Sequence, residues 1–527
     1  MFDYVIKDVV VVDGSGKEEY PSDIGIRDGK IALIGKVKDE GRRAIQGAGL
    51  VASSGFIDMH SHGDLELLKP TPPDAKIRQG ITTELLGQDG LGTAPVKESD
   101  IDVLSQLLGG IDGMLPKERW TWRSFGSYLE ALQKGGLPNN VAVLVSHGPV
   151  RMSAMGMEPR DATQSEMDRM KFLIHEAMEE GAFGFSTGLI YPPCSYGTTD
   201  ELIELNREVS AKKGIFVVHM RDEGHHLLRS LDEVLRISEE SGVPLHISHL
   251  HADGKVHWPL MDEALKRADA FNQRGRKVTW DRYPYLAGST VLSAVLPLWT
   301  FHEGPSALVK NLKDPDFRAL IRADFQKGLD VWHNRQISVG WENIVVTAVH
   351  LEKNHWMEGK SCMAIAETLG KDPIEIVCDL LSEEKLTVTM ISFYGSEEVL
   401  DKVLSHPHAT LGSDGIYGSR PHPRLYGTYP RFIQKYVREK RLFTLAEAIR
   451  KITSFPAEIL GLPDRGRIKE GCWGDIILFD PETIRDTATY ENPVRYPEGI
   501  PYVFVNGELV VDQYRMTGGL PGKVLRR

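Results

Sequence analysis

Residues 214–250 read GIFVVHMRDEGHHLLRSLDEVLRISEESGVPLHISHL and hold a strand, a helix and a second strand in succession. The runs GIFVVH and PLHISH are short and apolar, with the β-branched residues that are typical of buried strands. The stretch between them has apolar residues near helical spacing, at Leu228, Leu231, Val234, Leu235 and Ile237. This order predicts two neighbouring parallel strands joined by a helix.

The same unit recurs along the chain. Eight short runs end in polar residues or glycine, and amphipathic stretches lie between most of them. The runs are FIDMHSH (56–62), ITTELLGQD (81–89), NVAVLVSHG (140–148), GAFGFSTGL (181–189), GIFVVHMRD (214–222), PLHISHL (244–250), KVTWDRYPY (277–285) and HATLGSDG (408–415). This alternation predicts an α/β fold with a (β/α)8 TIM-like barrel. The longest interval precedes the last run, where we expect an inserted helical segment at about 290–345.

Both ends of the chain indicate β structure. Short apolar runs with Asp-Gly and Gly turns occur at 3–16 and 22–37, and again at 466–480 and 501–512. Each end alone is too small to bury the face of a sheet. We therefore predict one small β-sandwich domain formed by residues 1–54 and 461–527, with the barrel over residues 55–460.

The composition excludes several classes of protein. The 527 residues include 62 Lys+Arg and 74 Asp+Glu, for a net charge of −12, which argues against sequence-independent binding of nucleic acid or anionic membranes. Only four cysteines occur and none forms a CxxC pair, as expected in a reducing compartment. The N-terminus has no signal-peptide pattern, and no apolar run approaches the ~20 residues of a membrane span. We expect a cytoplasmic protein with a small-molecule substrate; its oligomeric state is left open.

Histidines and aspartates follow the predicted strands. In a barrel of this type the active site lies at the C-terminal ends of the strands. His60 and His62 are an i, i+2 pair, so on one strand both imidazoles point to the same face and can chelate a metal ion. A single histidine at a strand end is more often structural, but the set as a whole indicates a metal site. Its members are His60, His62, Asp89, His219, His249 and Asp414.

Several segments resemble the metal-dependent amidohydrolase superfamily, and within it the N-acyl-D-amino-acid deacylases (D-aminoacylases). The segments that carry the resemblance to that branch are GFIDMHSHGD, STGLIYPP, HMRDEG, SHLHADGK, WDRYPYLAGST, LGSDG, HPRLYGTYPRF and PGKVLRR, of which those with DRYPY, HPRLYGTYPR and LRR are specific to it. They occur in the same order over essentially the whole chain. The resemblance implies zinc-dependent hydrolysis of the amide bond of N-acyl-D-amino acids, which gives a carboxylate and a free D-amino acid.

The resemblance also implies the metal ligands. His219, His249 and a ligand after strand 2 would hold one tight zinc, and His60 and His62 would line a second, weaker position that Asp414 faces. In the familiar pattern the strand-2 ligand is a cysteine, whereas this chain has Asp89 there. A carboxylate can ligate zinc, so we expect Asp89 to be a ligand.

The resemblance assigns Tyr283, Ser289 and Arg424 to the α-carboxylate of the substrate. A guanidinium such as that of Arg424 can bind a carboxylate through two hydrogen bonds. Tyr191 offers a further hydroxyl after strand 4. A second departure is His251, which occupies the place of a lysine in the familiar pattern and is expected to contact the substrate.

A bound zinc supplies an acidified water, and Asp414 can accept a proton from the water and pass it to the leaving amine. We expect no protein nucleophile, because we see no serine elbow of the GxSxG type and Cys194 has no reactive context. Two other interpretations stay open. The chain could be a cyclic-amide or D-dipeptide hydrolase of the same superfamily, or a metal-depleted, non-catalytic binding module. The sequence leaves open the acyl group, the amino-acid side chain and the number of metal ions.

Overall fold

A computed structural model describes residues 1–39, 41–328 and 334–527. The chain begins with five strands: β1 (Tyr4–Val12), β2 (Tyr20–Arg27), β3 (Lys30–Gly35), β4 (Arg43–Gln46) and β5 (Val51–Ser54). Strand β1 pairs antiparallel with β2 and parallel with β4 and β5, so it is central to this part of the sheet.

A series of parallel strands follows. Its members are β6 (Phe56–Asp58), β7 (Ser61–His62), β8 (Ile81–Leu86), β9 (Asn140–Val143), β10 (Val145–Ser146), β11 (Gly184–Gly188), β12 (Ile215–His219), β13 (Leu245–Ile247) and β14 (Val278–Asp281). The pieces β6 and β7 belong to one strand, as do β9 and β10. Neighbouring strands pair in chain order, and these pairs are parallel.

Helices connect these strands and cover their outer side. They are α1 (Ile101–Leu108), α2 (Phe125–Gly135), α3 (His147–Met155), α4 (Gln164–Glu179), α5 (Thr199–Ala211), α6 (Leu227–Ser241) and α7 (Leu260–Gln273). In α6 the apolar residues Leu231, Val234 and Ile237 are buried, as their spacing predicts, and the helix ends at Gly242 with φ +75°.

The segment between β14 and the last parallel strand is longer and more varied than the helical insertion expected at about 290–345. It holds helices α8 (Pro305–Asn311), α9 (Pro315–Gln326), α10 (Arg335–Val339), α11 (Cys362–Leu369) and α12 (Pro373–Glu383), and strands β15 (Ala287–Val291), β16 (Ile344–Ala348) and β17 (Thr389–Phe393). These strands form an antiparallel sheet that sequence reasoning missed. Residues 329–333 of the expected segment lie outside the described residues.

The series of parallel strands closes on itself. After α13 (Glu397–Ser405), strand β18 (Ala409–Thr410) pairs with β14, and β19 (Gly415–Ile416) pairs with β7. We call this closed set, β6–β14 with β18 and β19, the strand ring. In β12 the side chains of Ile215 and Val217 pack with residues of other ring strands, whereas Phe216 and Val218 pack among the helices. His219 continues the inward series by the two-residue period of a strand.

The C-terminal part returns to the first sheet. Helices α14 (Arg424–Phe432), continued by a π-helix (Ile433–Glu439), α15 (Leu445–Ile452) and α16 (Ser454–Leu460) precede strands β20 (Ile476–Phe479), β21 (Tyr502–Val505), β22 (Glu508–Asp512) and β23 (Arg515–Met516). Strand β20 pairs with β5, so both ends of the chain share one sheet. None of the helices among the described residues combines the length and the apolar composition needed to cross a membrane.

A buried ion pair lies beneath the ends of the first and last ring strands. Lys76 Nζ is 2.7 Å from Asp58 Oδ2 and 2.9 Å from Ser61 Oγ, and it also contacts Ser413 Oγ. The side chains of Lys76 and Asp58 are buried, with relative exposures of 2% and 0%. Loss of the lysine leaves an unpaired buried carboxylate.

We therefore predict that Lys76→Met lowers the free energy of unfolding by about 3–5 kcal/mol, the usual effect of breaking a buried ion pair. Urea unfolding followed by circular dichroism measures the change. Lys117→Met is the matched control, because Lys117 pairs with Asp102 on the exposed surface and should matter little. Equal unfolding midpoints for the two variants would contradict the prediction.

Candidate metal centre and active site

The candidate ligands lie together at one end of the strand ring. His60 and His62 lie at the end of the first ring strand, Asp89 follows β8, His219 is the last residue of β12, His249 follows β13, and Asp414 lies between β18 and β19. All six side chains are buried. The structure thus brings together every residue that the sequence nominates as a metal ligand.

The imidazole nitrogens form two close pairs. His60 Nε2 lies 3.2 Å from His62 Nε2, and His219 Nδ1 lies 2.9 Å from His249 Nε2. Two nitrogen ligands of one tetrahedral zinc, each about 2.0–2.1 Å from the metal, stand about 3.3 Å apart. Each pair therefore has a spacing close to that of a chelate.

Asp89 stands between the two pairs. Its Oδ2 is 3.5 Å from His60 Nε2, 3.7 Å from His62 Nε2 and 3.9 Å from His249 Nε2. Its Oδ1 is buried and has no hydrogen-bond partner. A buried carboxylate oxygen without a partner is costly, and a cation can compensate it. The donor atoms of Asp89, His219 and His249 all lie within 4.8 Å of one another, and so do those of His60, His62 and Asp89.

The turn that carries Asp89 is fixed from two sides. Gln88 Nε2 donates to Met59 O at 2.9 Å, and Ser186 Oγ accepts from Gly90 N at 3.1 Å and donates to Gly87 O. Gly87 has φ +73°, and a Cβ there would lie 2.3 Å from a backbone oxygen, so the position requires glycine.

Three candidate ligands hold backbone conformations that L-residues rarely adopt. The φ angle is +55° at Asp89, +32° at His249 and +48° at Asp414. Such positions cost about 1–3 kcal/mol each and are concentrated at functional sites. The strain indicates that the surrounding contacts hold these side chains toward a common point.

Asp414 contacts both the first histidine pair and an arginine. Its Oδ1 lies 3.4 Å from His62 Nε2 and 2.7 Å from Arg424 Nη2. Arg424 Nη2 also donates to Ser289 O at 2.9 Å, while its buried Nε and Nη1 have no hydrogen-bond partner. Arg424 is fully buried and joins the site through its contact with Asp414. The sequence did not indicate this contact.

Buried carboxylates dominate the electrostatics of the site. Burial by itself lowers the pKa of His60, but Asp89, Asp414 and Asp281 outweigh it and raise the pKa to about 9. Burial likewise raises the pKa of Asp89, but the histidines around it, His60 foremost, bring that pKa well below its usual range. Positive charge is therefore stabilised around His60 and Asp89, whereas burial lowers the pKa of His219 to about 4.

Four of the five expected substrate contacts line one cavity with the candidate ligands, whereas Arg424 is not among its lining residues. Tyr191, His251, Tyr283 and Ser289 all line it, together with Asp89, His219, His249 and Asp414. Tyr191 Oη lies 2.8 Å from Thr290 Oγ1, and the Tyr283 hydroxyl contacts that of Tyr394. The Arg424 guanidinium lies 4.4 Å from the centre of the Tyr283 ring.

His251 is held by the chain itself. Its Nδ1 lies 2.6 Å from His249 O, and its Nε2 lies 3.1 Å from Asp253 Oδ1. Its ring stacks on Tyr394, with 4.3 Å between the ring centroids. Both ring nitrogens thus face oxygen acceptors next to the cavity.

Sequence reasoning missed several residues of the site. Asp281 is the last residue of β14 and lies 3.6 Å from His60 Nδ1, so the rule applied to the other strand ends could have found it. Asp112 lies 3.0 Å from His62 Nδ1, and Glu223 lies 3.1 Å from His249 Nδ1. Arg335 of the inserted segment also lines the cavity. No local sequence pattern indicates Asp112, Glu223 or Arg335 as residues of the site.

A profile of the amidohydrolase family matches residues 44–511. The D-aminoacylase of Alcaligenes xylosoxydans xylosoxydans is 33% identical over 532 residues, which cover 100% of this chain and 98% of that protein. This chain belongs to the amidohydrolase family. As the sequence motifs predicted, it is a hydrolase that resembles the N-acyl-D-amino-acid deacylases.

Solved structures agree with this assignment. The N-acyl-D-glutamate deacylase of Bordetella bronchiseptica, complexed with zinc and a phosphonate inhibitor, is 30% identical to this amidohydrolase, with a TM-score of 0.84 and full coverage of both chains. A D-aminoacylase described with a binuclear metal centre is 32% identical, with a TM-score of 0.83 and again full coverage of both.

One segment of the amidohydrolase has the letters of a serine motif without its structure. Gly184–Gly188 reads GFSTG and matches the GxSxG pattern. The segment is a ring strand rather than a strand-to-helix elbow, and Ser186 is bonded to the Asp89 turn. Its role is to hold that turn.

The cysteines of the amidohydrolase are shielded from solvent, and one of them, Cys194, lies against His147. All four are free and buried, and burial raises the pKa of Cys362 and of Cys378 to about 12. We predict that iodoacetamide at pH 8 leaves the native protein unmodified and alkylates all four thiols after unfolding. Mass spectrometry counts the adducts. Rapid modification of Cys194 in the native protein would contradict its inert assignment.

Asp89 offers a direct test of the metal centre. We predict that Asp89→Asn lowers the zinc retained per chain after dialysis, because a neutral amide replaces the carboxylate that faces three imidazoles. Asp89→Cys is the matched variant and should retain zinc, since a thiolate is a zinc ligand. Plasma emission spectrometry measures the metal. Full zinc content in Asp89→Asn would exclude Asp89 as a ligand.

Proposed function

We propose that this amidohydrolase cleaves the amide bond of N-acyl-D-amino acids in a zinc-dependent reaction, releasing a carboxylate and a free D-amino acid. The observation that carries the proposal is the position of Asp414. Its carboxylate faces the first histidine pair on one side and the guanidinium of Arg424 on the other. The three relatives reported above, two D-aminoacylases and an N-acyl-D-glutamate deacylase, support this substrate class by their names.

We propose Asp89, His219 and His249 as the ligands of one tight zinc. His60 and His62 would line a second, weaker position that Asp414 faces. The nitrogen and carboxylate donors are those that zinc prefers. When bound, zinc would acidify a water and polarise the carbonyl group of the amide whose C–N bond is to be cleaved.

Asp414 has the position of a general base and acid. It would accept a proton from the attacking water and return it to the nitrogen of the leaving amine, so that the amine departs neutral. The contact with Arg424 orients the carboxylate. Burial raises the pKa of Asp414, but Arg424 and the surrounding histidines lower it by more, so the group is ionised at neutral pH. Hydrolysis by this route needs no nucleophile from the protein.

Arg424 would also bind the α-carboxylate of the substrate. Its Nε and Nη1 are buried and without partners, while Nη2 is bonded to Asp414 and Ser289. Nε–H and Nη1–H are thus left as donors for oxygens of a second carboxylate. Tyr283 and Ser289 would add hydroxyl donors, and Tyr191 and His251 would line the remaining walls.

We extend the proposal to the architecture. The closed order of parallel pairs supports a (β/α)8 barrel over residues 55–460, and the shared terminal sheet supports a β-sandwich from residues 1–54 and 461–527. Tyr4 of β1 contacts Phe504 of β21, two strands further along the sheet than its neighbour β5, which fits a sheet folded over its own core.

Four free cysteines support a reducing compartment such as the cytoplasm.

We predict that Asp414→Asn lowers kcat by about 10²–10⁴-fold, the usual contribution of a general acid–base group. Release of the free amine from N-acetyl-D-leucine and N-acetyl-D-glutamate measures it. Asp222→Asn is the control. Asp222 is buried at the same end of the ring and accepts Gly224 N at 2.7 Å, a bond that an asparagine oxygen can keep. Unchanged kcat in Asp414→Asn would overturn its assignment as the base.

A substrate panel separates the alternatives. The wild-type protein should hydrolyse N-acetyl-D-amino acids faster than their L-enantiomers, D-dipeptides or hydantoins. Opening of hydantoins without amide hydrolysis would indicate a cyclic-amide hydrolase instead. Less than about half an equivalent of metal per chain after zinc-replete expression, with no hydrolysis, would indicate a non-catalytic binding module.

A further inference from the structure

Glu223 faces the outer nitrogens of two metal-binding histidines. Its Oε1 lies 3.1 Å from His249 Nδ1, and its Oε2 lies 3.5 Å from His219 Nε2. These are the nitrogens that point away from the 2.9 Å contact between His219 Nδ1 and His249 Nε2. Glu223 itself is fully buried in the loop after β12.

We propose that Glu223 is a positioning residue that holds His219 and His249 in the tautomers and ring orientations needed to bind the tight metal. The inference rests on the proposed function, in which these two histidines are ligands. Glu223 lines the cavity as well, and in this assignment it acts through the two histidines rather than on the reacting atoms.

His219 and His249 must be in opposite tautomers to bind the same metal ion. His219 presents Nδ1 to the proposed metal position and His249 presents Nε2, so the first must carry its proton on Nε2 and the second on Nδ1. Each outer N–H then needs an acceptor, because a buried donor without one is costly. The two oxygens of one carboxylate face both nitrogens at 3.1 and 3.5 Å, and none of the four buried atoms is hydrogen-bonded elsewhere among the described residues. Outer acceptors of this kind orient metal-binding histidines and raise their basicity.

Glu223 is itself held in place by the neighbouring loops. Its backbone oxygen accepts Asp253 N at 2.8 Å, and His251 Nε2 lies 3.4 Å from its Oε2. Asp253 also pairs with Arg335 Nε at 3.0 Å. His251, at the place of a lysine in the familiar pattern, thus gives the buried carboxylate a third nitrogen neighbour.

A competing explanation is that Glu223 ligates a metal of its own. Donor atoms of Glu223, His249 and His251 also lie within 4.8 Å of one another. The positioning role explains more of the structure, because it pairs the outer nitrogens of His219 and His249 at once. The two explanations differ in metal stoichiometry, which the experiment reads directly.

The test compares Glu223→Gln, Glu223→Asp and a control, Glu201→Gln. Glu201 is a buried glutamate that contacts His147 Nε2 at 2.9 Å, at another strand end and outside the candidate metal atoms. Zinc affinity of each metal-free protein is measured by competition with a chromogenic chelator. The absorption spectrum of the Co²⁺-loaded protein reports the ligand geometry.

Glu223→Gln should bind zinc about 10–100-fold more weakly and shift the Co²⁺ spectrum. Its amide can accept from only one ring, and its NH₂ group opposes the N–H of the other. Glu223→Asp keeps both acceptors and should recover part of the affinity, which also covers the case in which the glutamine variant does not fold. Glu201→Gln should bind zinc as the wild type does.

Wild-type affinity in folded Glu223→Gln would overturn the inference and leave the proposed function intact. An additional metal equivalent that the wild type holds and Glu223→Gln loses would also overturn it, because Glu223 would then be a ligand. A folded wild-type protein that binds no zinc at all would overturn the proposed function and this inference together.

Discussion

The closure of the strand ring is the constraint on which the site depends. Asp414 N donates to His60 O at 2.8 Å, and Met59 N donates to Leu411 O at 3.3 Å, so the last ring strand is hydrogen-bonded to the first. Residues more than 350 positions apart in the chain thereby meet at one strand end. Without this pairing Asp414, the first histidine pair and Arg424 would not lie together.

Closure of the strand ring brings buried charged groups together as well as the candidate ligands. Asp89, Asp281, Asp414 and Glu223 are all buried near the histidines, and such carboxylates are tolerated only when cations or donors compensate them. Imidazoles, Arg424 and the proposed metal provide that compensation in different places. The positive φ angles of Asp89, His249 and Asp414 show that the backbone accepts strain to maintain the arrangement.

Much of this could be predicted from the sequence because local patterns carry it. The eight strand runs, the helical spacing in α6 and the i, i+2 pair His60 and His62 each follow from a short-range period. Asp281 also follows from the strand-end rule, although it was not selected. The antiparallel sheet of β15, β16 and β17 could not be anticipated, because its strands are separated by helices and pair only over long distances. The segment GFSTG matches the letters of the GxSxG motif although it is a strand, because a motif has meaning only in its structural context.

The sequence by itself determined the α/β class, the family resemblance and the identity of six candidate ligands, because side-chain chemistry and strand period are properties of short segments. Only the tertiary structure decided which atoms meet. It set Asp89 between the two histidine pairs, bonded Arg424 to Asp414, and placed Glu223 behind His219 and His249. These contacts join distant strands and loops, and their geometry comes from ring closure and from the need to satisfy every buried polar group.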